Sequence, residues 1–143
     1  MCVGLLEHGS RQRGRSRGPR RRSLRRGPVR PSRRLVAGGP QESVCQPEWS
    51  PGGVLHFVSD RSGWWNLYRH GDQAGQDDAI CPLAAEFAGP QWTFGNAMYG
   101  FLSAGEIACT YIEEGVSRLA RLEISSGRHE PVANPKPEIR ELR

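Results

Sequence analysis

Gln46 to Tyr68 reads QPEWSPGGVLHFVSDRSGWWNLY, a run of apolar segments closed by glycine-containing turns. In Ser50-Pro51-Gly52-Gly53, proline presets φ and glycine supplies a positive φ, so the chain reverses there. Val54 to Ser59 is β-branched and aromatic, the content of a buried or half-buried strand. Asp60 to Gly63 closes the next hairpin and leads into a strand from Trp65 to Arg69. The plan then recurs. Pro47-Glu48-Trp49 returns as Pro90-Gln91-Trp92, 43 residues later. Gly53, Gly63, Leu67 and Arg69 realign with Gly105, Gly115, Leu119 and Arg121 at an offset of 52, the extra nine residues falling between Trp92 and Ser103. Repeats of about 40–50 residues with strand content mark β-propeller blades or a related array. A blade buries its faces on its neighbours, so about three or more repeats are needed for stability, and two are present.

The flanking segments fill out two four-stranded units. Val44 to Trp49 opens the first and Ala79 to Leu83 closes it, after a polar loop from His70 to Gly75. The second runs through Gln91 to Leu102, Ile107 to Ile112, Val116 to Ile124 and Glu130 to Val132. Ile107 to Ile112 is apolar on both faces, as an inner strand covered on each side should be. In the next strand Val116, Ala120, Leu122 and Ile124 share a face that Arg118 interrupts. No stretch carries a capped 3.6-residue period. The reading is all-β: a partial propeller over residues 35–143, with blade 1 at about 41–85, blade 2 at about 89–133 and a short polar tail.

Charge divides the chain unevenly. Residues 1–40 hold 12 arginines and one acid, Glu7, whereas residues 41–143 hold eight basic and fourteen acidic residues. Residues 1–34, rich in Arg, Gly, Ser and Pro, read as a disordered basic arm, because so little apolar surface cannot offset the entropy of ordering. Met1 to Leu6 is too short for an export signal, and the charges follow it instead of preceding it. No window reaches the ~18 apolar residues of a membrane span. The default is a cytoplasmic protein with no membrane association. Cys2, Cys45, Cys81 and Cys109 lie 43, 36 and 28 residues apart, without the paired spacing that zinc requires. Cys45, Cys81 and Cys109 read as buried structural thiols. His8, His56, His70 and His129 are scattered, and no metal or cofactor is expected.

The motifs support a named resemblance. Gln46-Pro47-Glu48-Trp49-Ser50-Pro51-Gly52-Gly53, followed by Ser59-Asp60-Arg61-Ser62-Gly63 and a strand ending Leu67-Tyr68, resembles the TolB-type (PD40) propeller repeat. The double tryptophan Trp64-Trp65, with Gly89-Pro90-Gln91-Trp92 downstream, is similar to the propeller of the prolyl oligopeptidase (S9) family, in its dipeptidyl aminopeptidase and acylaminoacyl-peptidase-like members. The resemblance spans roughly Leu35 to Val132. Gly52 stands where the pattern has Asp, which removes a turn hydrogen bond. The resemblance implies a propeller that gates access of peptide substrates to an α/β-hydrolase domain carrying a Ser-Asp-His triad. It implies as partners the remaining blades and that hydrolase domain.

This chain has no room for the hydrolase domain. Its Gly-x-Ser-x-Gly match, Gly14-Arg15-Ser16-Arg17-Gly18, lacks the strand before the serine and the helix after it that a nucleophile elbow needs. No catalytic residue is therefore expected, and the chain reads as a non-catalytic propeller fragment of an S9-type serine peptidase. Two alternatives belong to other classes: a TolB-like fragment acting as a protein-binding module, and an arginine arm that binds nucleic acid non-specifically through phosphates. The arm lacks interleaved aromatics and a reader motif, so nucleic acid is not the expected partner. Trp49, Trp64, Trp65 and Trp92, with Tyr68 and Tyr99, read foremost as packing between blades, and second as a stacking surface. Asp60 reads as a turn residue whose carboxylate satisfies backbone N–H groups. Arg61, Trp64 and Trp65 are the candidates for substrate or partner contact.

Overall fold

Two four-stranded antiparallel sheets carry the repeat, and a strand pair precedes them. The computed structural model describes residues 5–8, 33–71, 76–89 and 96–133. The strands are β1 (Leu5–His8), β2 (Arg33–Ala37), β3 (Val44–Trp49), β4 (Leu55–Ser59), β5 (Asn66–His70), β6 (Asp77–Ala79), β7 (Tyr99–Phe101), β8 (Glu106–Glu113), β9 (Val116–Glu123) and β10 (His129–Val132). One sheet runs β3-β4-β5-β6 and the other β7-β8-β9-β10, each an up-and-down meander, and β1 pairs with β2. These are two blades of a β-propeller. Among the described residues there is no helix, and none is long and apolar enough to cross a membrane.

The repeated glycines explain why the two meanders match. Gly63, in the β4–β5 turn, has φ +87°, and Gly115, in the β8–β9 turn, has φ +78°. Both sit in the left-handed region that a Cβ disfavours, so each turn takes glycine at the same repeat position, although six residues separate β4 from β5 and two separate β8 from β9. In the first turn the Gly63 N–H donates to the Asp60 carbonyl at 2.8 Å.

Alternation along β4 divides its side chains between two cores. Val58, with Cys45 and Leu67, faces the second blade and packs with Tyr99, Ile107, Cys109, Tyr111, Ala120 and Leu122. Leu55 and Phe57 face the other way and, with Tyr68, receive Val36 and Ala37 of β2. A β2 strand lies, in effect, where a neighbouring blade would lie. Placing strand structure at Arg33–Ala37, and pairing it with Leu5–His8, adds order at both ends of the segment read as a basic arm. The apolar run Leu35-Val36-Ala37 gives the reason, since it buries Val36 and Ala37 on blade 1. Residues 9–32, the bulk of that arm, lie outside the described residues, as does the polar tail from residue 134.

Two strand expectations change. Blade 1 closes with Asp77–Ala79, not with Ala79 to Leu83. Ile80 and Cys81 turn instead into the gap between the blades, where both are buried. The connector is then pinned by side-chain hydrogen bonds: Asn66 Nδ2 donates to the Leu83 carbonyl at 3.0 Å, and the Leu83 N–H donates to Asn66 Oδ1 at 2.9 Å. In the second blade the first strand is Tyr99–Phe101, shorter than the expected Gln91 to Leu102, and residues 90–95 lie outside the described residues. Val116, placed on the apolar face by the sequence, is exposed at the hairpin tip.

Candidate functional site

Arg61 sits in the β4–β5 turn at the centre of the best-connected polar group of blade 1. Its Nη2 lies 2.7 Å from Glu42 Oε1, and its Nη1 donates to Asp77 Oδ2 at 2.8 Å. The guanidinium carbon stands 4.8 Å from the Tyr68 ring centroid and 5.5 Å from that of Phe57. Those two rings are themselves stacked, 5.9 Å apart. A planar cation flanked by carboxylates and laid over aromatic faces gains from charge pairing and from the ring quadrupoles together. Burial works against the charge on Glu42, but hydrogen bonds from Ser59, Arg61 and the Gly38 N–H outweigh it and hold the carboxyl below its ordinary value. Burial likewise opposes the charge on Arg61, and the bonds to Asp77 and Glu42 override it, raising the pKa. Arg61 therefore ties the β4–β5 turn to the chain before β3 and to β6.

The other two candidates separate from it. Trp64 is 43% exposed, and its carbonyl accepts from Ser62 Oγ at 3.0 Å. Trp65 is half-buried against the inter-blade core. Its N–H donates to Glu86 Oε2 at 2.9 Å, and its carbonyl accepts from the Phe87 N–H at 2.7 Å. Trp64 thus offers a ring to the surface, whereas Trp65 anchors the connector. Tyr68 and Tyr99 are buried, as packing residues should be, but Trp49 is 56% exposed on the face of blade 1 that β2 covers only in part. Trp49 and Trp64 are thus exposed in this two-blade chain, and Trp92 lies outside the described residues. Asp60 does bind a backbone N–H with its carboxylate, but the donor is Ser43 beside β3, at 2.8 Å, and not its own turn.

Sequence reasoning missed Gln46. It adopts φ +45° where the β3–β4 register shifts between Cys45 and Glu48. A bulge of this kind re-aims a side chain. Gln46 Oε1 accepts from the Met98 N–H at 2.7 Å, and its Nε2 donates to the Tyr99 carbonyl at 2.7 Å. The Tyr99 hydroxyl returns a bond to the Gln46 carbonyl at 2.9 Å. One amide thereby does for β7 what a neighbouring strand would do. The signal available in the sequence was the residue before Pro47, which proline pushes away from helical geometry.

Burial silences the thiols. It pushes Cys45 and Cys109 up to about 12, with the Asp60 charge adding to the effect at Cys45, and it also raises Cys81. Cys81 Sγ lies 3.5 Å from His129 Nδ1, inside the inter-blade gap. Because the thiolate is the nucleophile, the folded chain at about pH 8 should leave all three unmodified by iodoacetamide, while the urea-unfolded chain reacts at each. Peptide mapping reads the outcome, and rapid native labelling of Cys109 would contradict this burial.

A cavity of about 520 Å³ opens on blade 2 among Glu106, Arg121, Glu123, Arg128 and Glu130. Its charges are mutually engaged: Arg121 with Glu106 at 2.6 Å, Arg128 with Glu130 at 3.0 Å, and Glu123 with Ser125 and Ser126. Among the described residues no group of three His, Cys, Asp or Glu side chains is placed to hold a metal ion. The Gly14-Arg15-Ser16-Arg17-Gly18 segment lies outside the described residues.

No family model matches the chain, and no curated protein matches it. Solved structures do. Puromycin hydrolase is 38% identical over 76% of this chain, with a TM-score of 0.68. The same protein, as a serine-to-alanine variant complexed with PGG, matches equally. A puromycin-hydrolyzing peptidase of Mycobacterium tuberculosis is 34% identical over 73% of this chain, with a TM-score of 0.66. The chain spans 16% of the length of each of these structures. Their likeness supports the relationship to S9 peptidase propellers that the repeat motifs implied.

Proposed function

We propose that this chain supplies two blades of the substrate-gating propeller of an S9-type serine peptidase, and that it is non-catalytic by itself. The observation that carries the reading is the 38% identity to puromycin hydrolase over 76% of this chain. Repeat positions add a physical argument. Thr110 and Leu119 occupy in blade 2 the places of Val58 and Leu67 in blade 1, which face the next blade. The far face of blade 2 is thus built to take a further blade, and Val132 is exposed on it. In this reading the partition of the chain at about residues 41–85 and 89–133 follows the TolB-type repeat. Its partners are the remaining blades and an α/β-hydrolase domain, and peptides are what the assembled ring admits. The reading places the protein in the cytoplasm, where thiols such as Cys45, Cys81 and Cys109 stay reduced.

A segment exchange tests it. Residues 35–132 grafted in place of the matching segment of puromycin hydrolase should yield a soluble enzyme that still hydrolyses puromycin, whereas the chain alone should turn over none. Hydrolysis by the chain alone that vanishes in Ser16→Ala, or a chimera that cannot fold, would overturn the proposal.

A further inference from the structure

Strands β1 and β2 repeat the outer half of blade 1. The offset of 43 that relates Pro47-Glu48-Trp49 to Pro90-Gln91-Trp92 also sets residues 34–36 of β2 on Asp77–Ala79, the whole of β6. It sets Ala37 on Ile80, and each is buried against the blade that follows. The ladders agree. β1 runs antiparallel to β2 as β5 does to β6, with a bulge between Leu5 and Leu6. Leu5 lies opposite Ala37, and in the matching place the Leu67 carbonyl accepts from the Ile80 N–H at 2.9 Å. Each closing strand then leads into the same dock. The Ser43 carbonyl accepts from the Asp60 N–H at 3.3 Å, and the Glu86 carbonyl, 43 residues on, accepts from the Ile112 N–H at 2.9 Å. Asp60 and Ile112 are themselves 52 residues apart, the offset of the two meanders. β1 and β2 therefore stand to blade 1 as β5 and β6 stand to blade 2.

The two pairs differ on their inner side. β5 is also paired with β4, whereas β1 has β2 as its one neighbour among the described residues. Blade 1 shows the same difference. Trp49 lies opposite Leu55 across β3 and β4, as Phe101 lies opposite Ile107 across β7 and β8. The Phe101 ring meets His56 of β4, with centroids 5.0 Å apart and the planes at 76°. Trp49, in the matching place, is 56% exposed.

We infer that β1 and β2 are the outer half of a third blade, and that the inner edge of β1 is a docking edge for that blade's inner hairpin, an antiparallel pair of the β3–β4 type. An open edge presents unpaired N–H and C=O groups, which an added antiparallel strand satisfies. The strand that pairs with β1 takes the place of β4, so it turns a side chain onto Trp49 as His56 turns onto Phe101. An aromatic or aliphatic residue at that point suits the exposed indole. Recognition is thus main-chain laddering on β1 with apolar contact on Trp49. This deepens the propeller reading above and rests on it, but its test reads backbone protection and not turnover, so the two fail separately.

A copy of residues 44–61 fused ahead of Met1 in the full chain supplies such a hairpin. Six residues then separate the added strand from Leu5, as six separate β4 from β5. Hydrogen exchange read by mass spectrometry should show the protection of segment 5–8 rise at least about tenfold over the unextended chain, relative to β8. A second fusion carrying Phe57→Pro and Val58→Pro in the copy cannot ladder and should show no rise. Unchanged exchange of segment 5–8 in the first fusion, or an equal rise in the second, would overturn the inference. Should the fusion not be soluble, the synthetic peptide 44–61 and its double-proline form, each added to the full chain, decide by the same readout: protection by the first alone is expected, and protection by neither or by both would overturn it.

Discussion

Phe87→Ala is expected to lower stability by about 3–5 kcal/mol, the range for emptying a large aromatic site in a packed core. Phe87 is 2% exposed and stacks on Tyr111 of the second blade, with ring centroids 5.2 Å apart. Its backbone N–H is bound to Trp65 of the first blade, and the adjoining Glu86 exchanges two 2.9 Å backbone bonds with Ile112 of the second. The residue is therefore a wedge whose removal loosens one blade from the other, not only a filler of one core. A small domain has only about 5–15 kcal/mol of net stability, so much of the total is at stake. Urea unfolding followed by tryptophan fluorescence and far-ultraviolet circular dichroism measures it. Phe87→Leu should cost less, about 1–1.5 kcal/mol, since it keeps most of the volume. A shift below about 1 kcal/mol for Phe87→Ala would mean that the blades hold together without the connector.

Arg61→Ala should destabilise by about 3 kcal/mol, the lower end of the cost of breaking a buried ion pair, because Arg61 itself keeps some exposure. Its loss strands the Asp77 carboxylate in a buried site with only His70 opposite, and removes the cation from the Phe57 and Tyr68 rings. Arg61→Lys should recover only part, since an ammonium cannot span both carboxylates as a planar fork does. The pH profile supplies a second check. Glu42 is depressed below its ordinary value of 4.5, so it contributes stability that is complete above that value and is lost as pH falls through its lower folded value. In Arg61→Ala that acid-side loss should shrink, because Arg61 is one of the groups holding Glu42 down. An unchanged acid limb would show that Ser59 and the Gly38 N–H suffice for Glu42.

Much of the blade plan is legible along the chain. The β-branched and aromatic content of Val54 to Ser59, the matched Gly63 and Gly115, and the recurrence of Leu67 and Arg69 as Leu119 and Arg121 are local features, and each constrains backbone conformation within a few residues. The apolar stretch from Ile80 to Ala88 is different. A short apolar run has the same composition whether it pairs at a sheet edge or fills the gap between sheets, so periodicity could not place it. Leu35 to Ala37 poses the same problem, since the run signals burial without naming the surface that it covers.

The candidate site was legible only as residue types. The turn Asp60-Arg61-Ser62-Gly63 stands out in the sequence, but the partners of Arg61 are Glu42 and Asp77, 19 and 16 residues away on either side. Neither is marked by any local motif. Gln46 likewise reaches Met98 and Tyr99 across 52 and 53 residues. Sequence by itself determined most of the strands, the hairpin turns and the division into two repeated sheets, because those follow from φ preferences and strand-favouring residue content over short spans. Tertiary structure alone decided that Arg61 is an internal tie, and that Trp64 faces outward while Trp65 anchors the connector. Those contacts depend on strand register and on how one blade lies against the next, and both are set by non-local packing that no short stretch of the chain encodes.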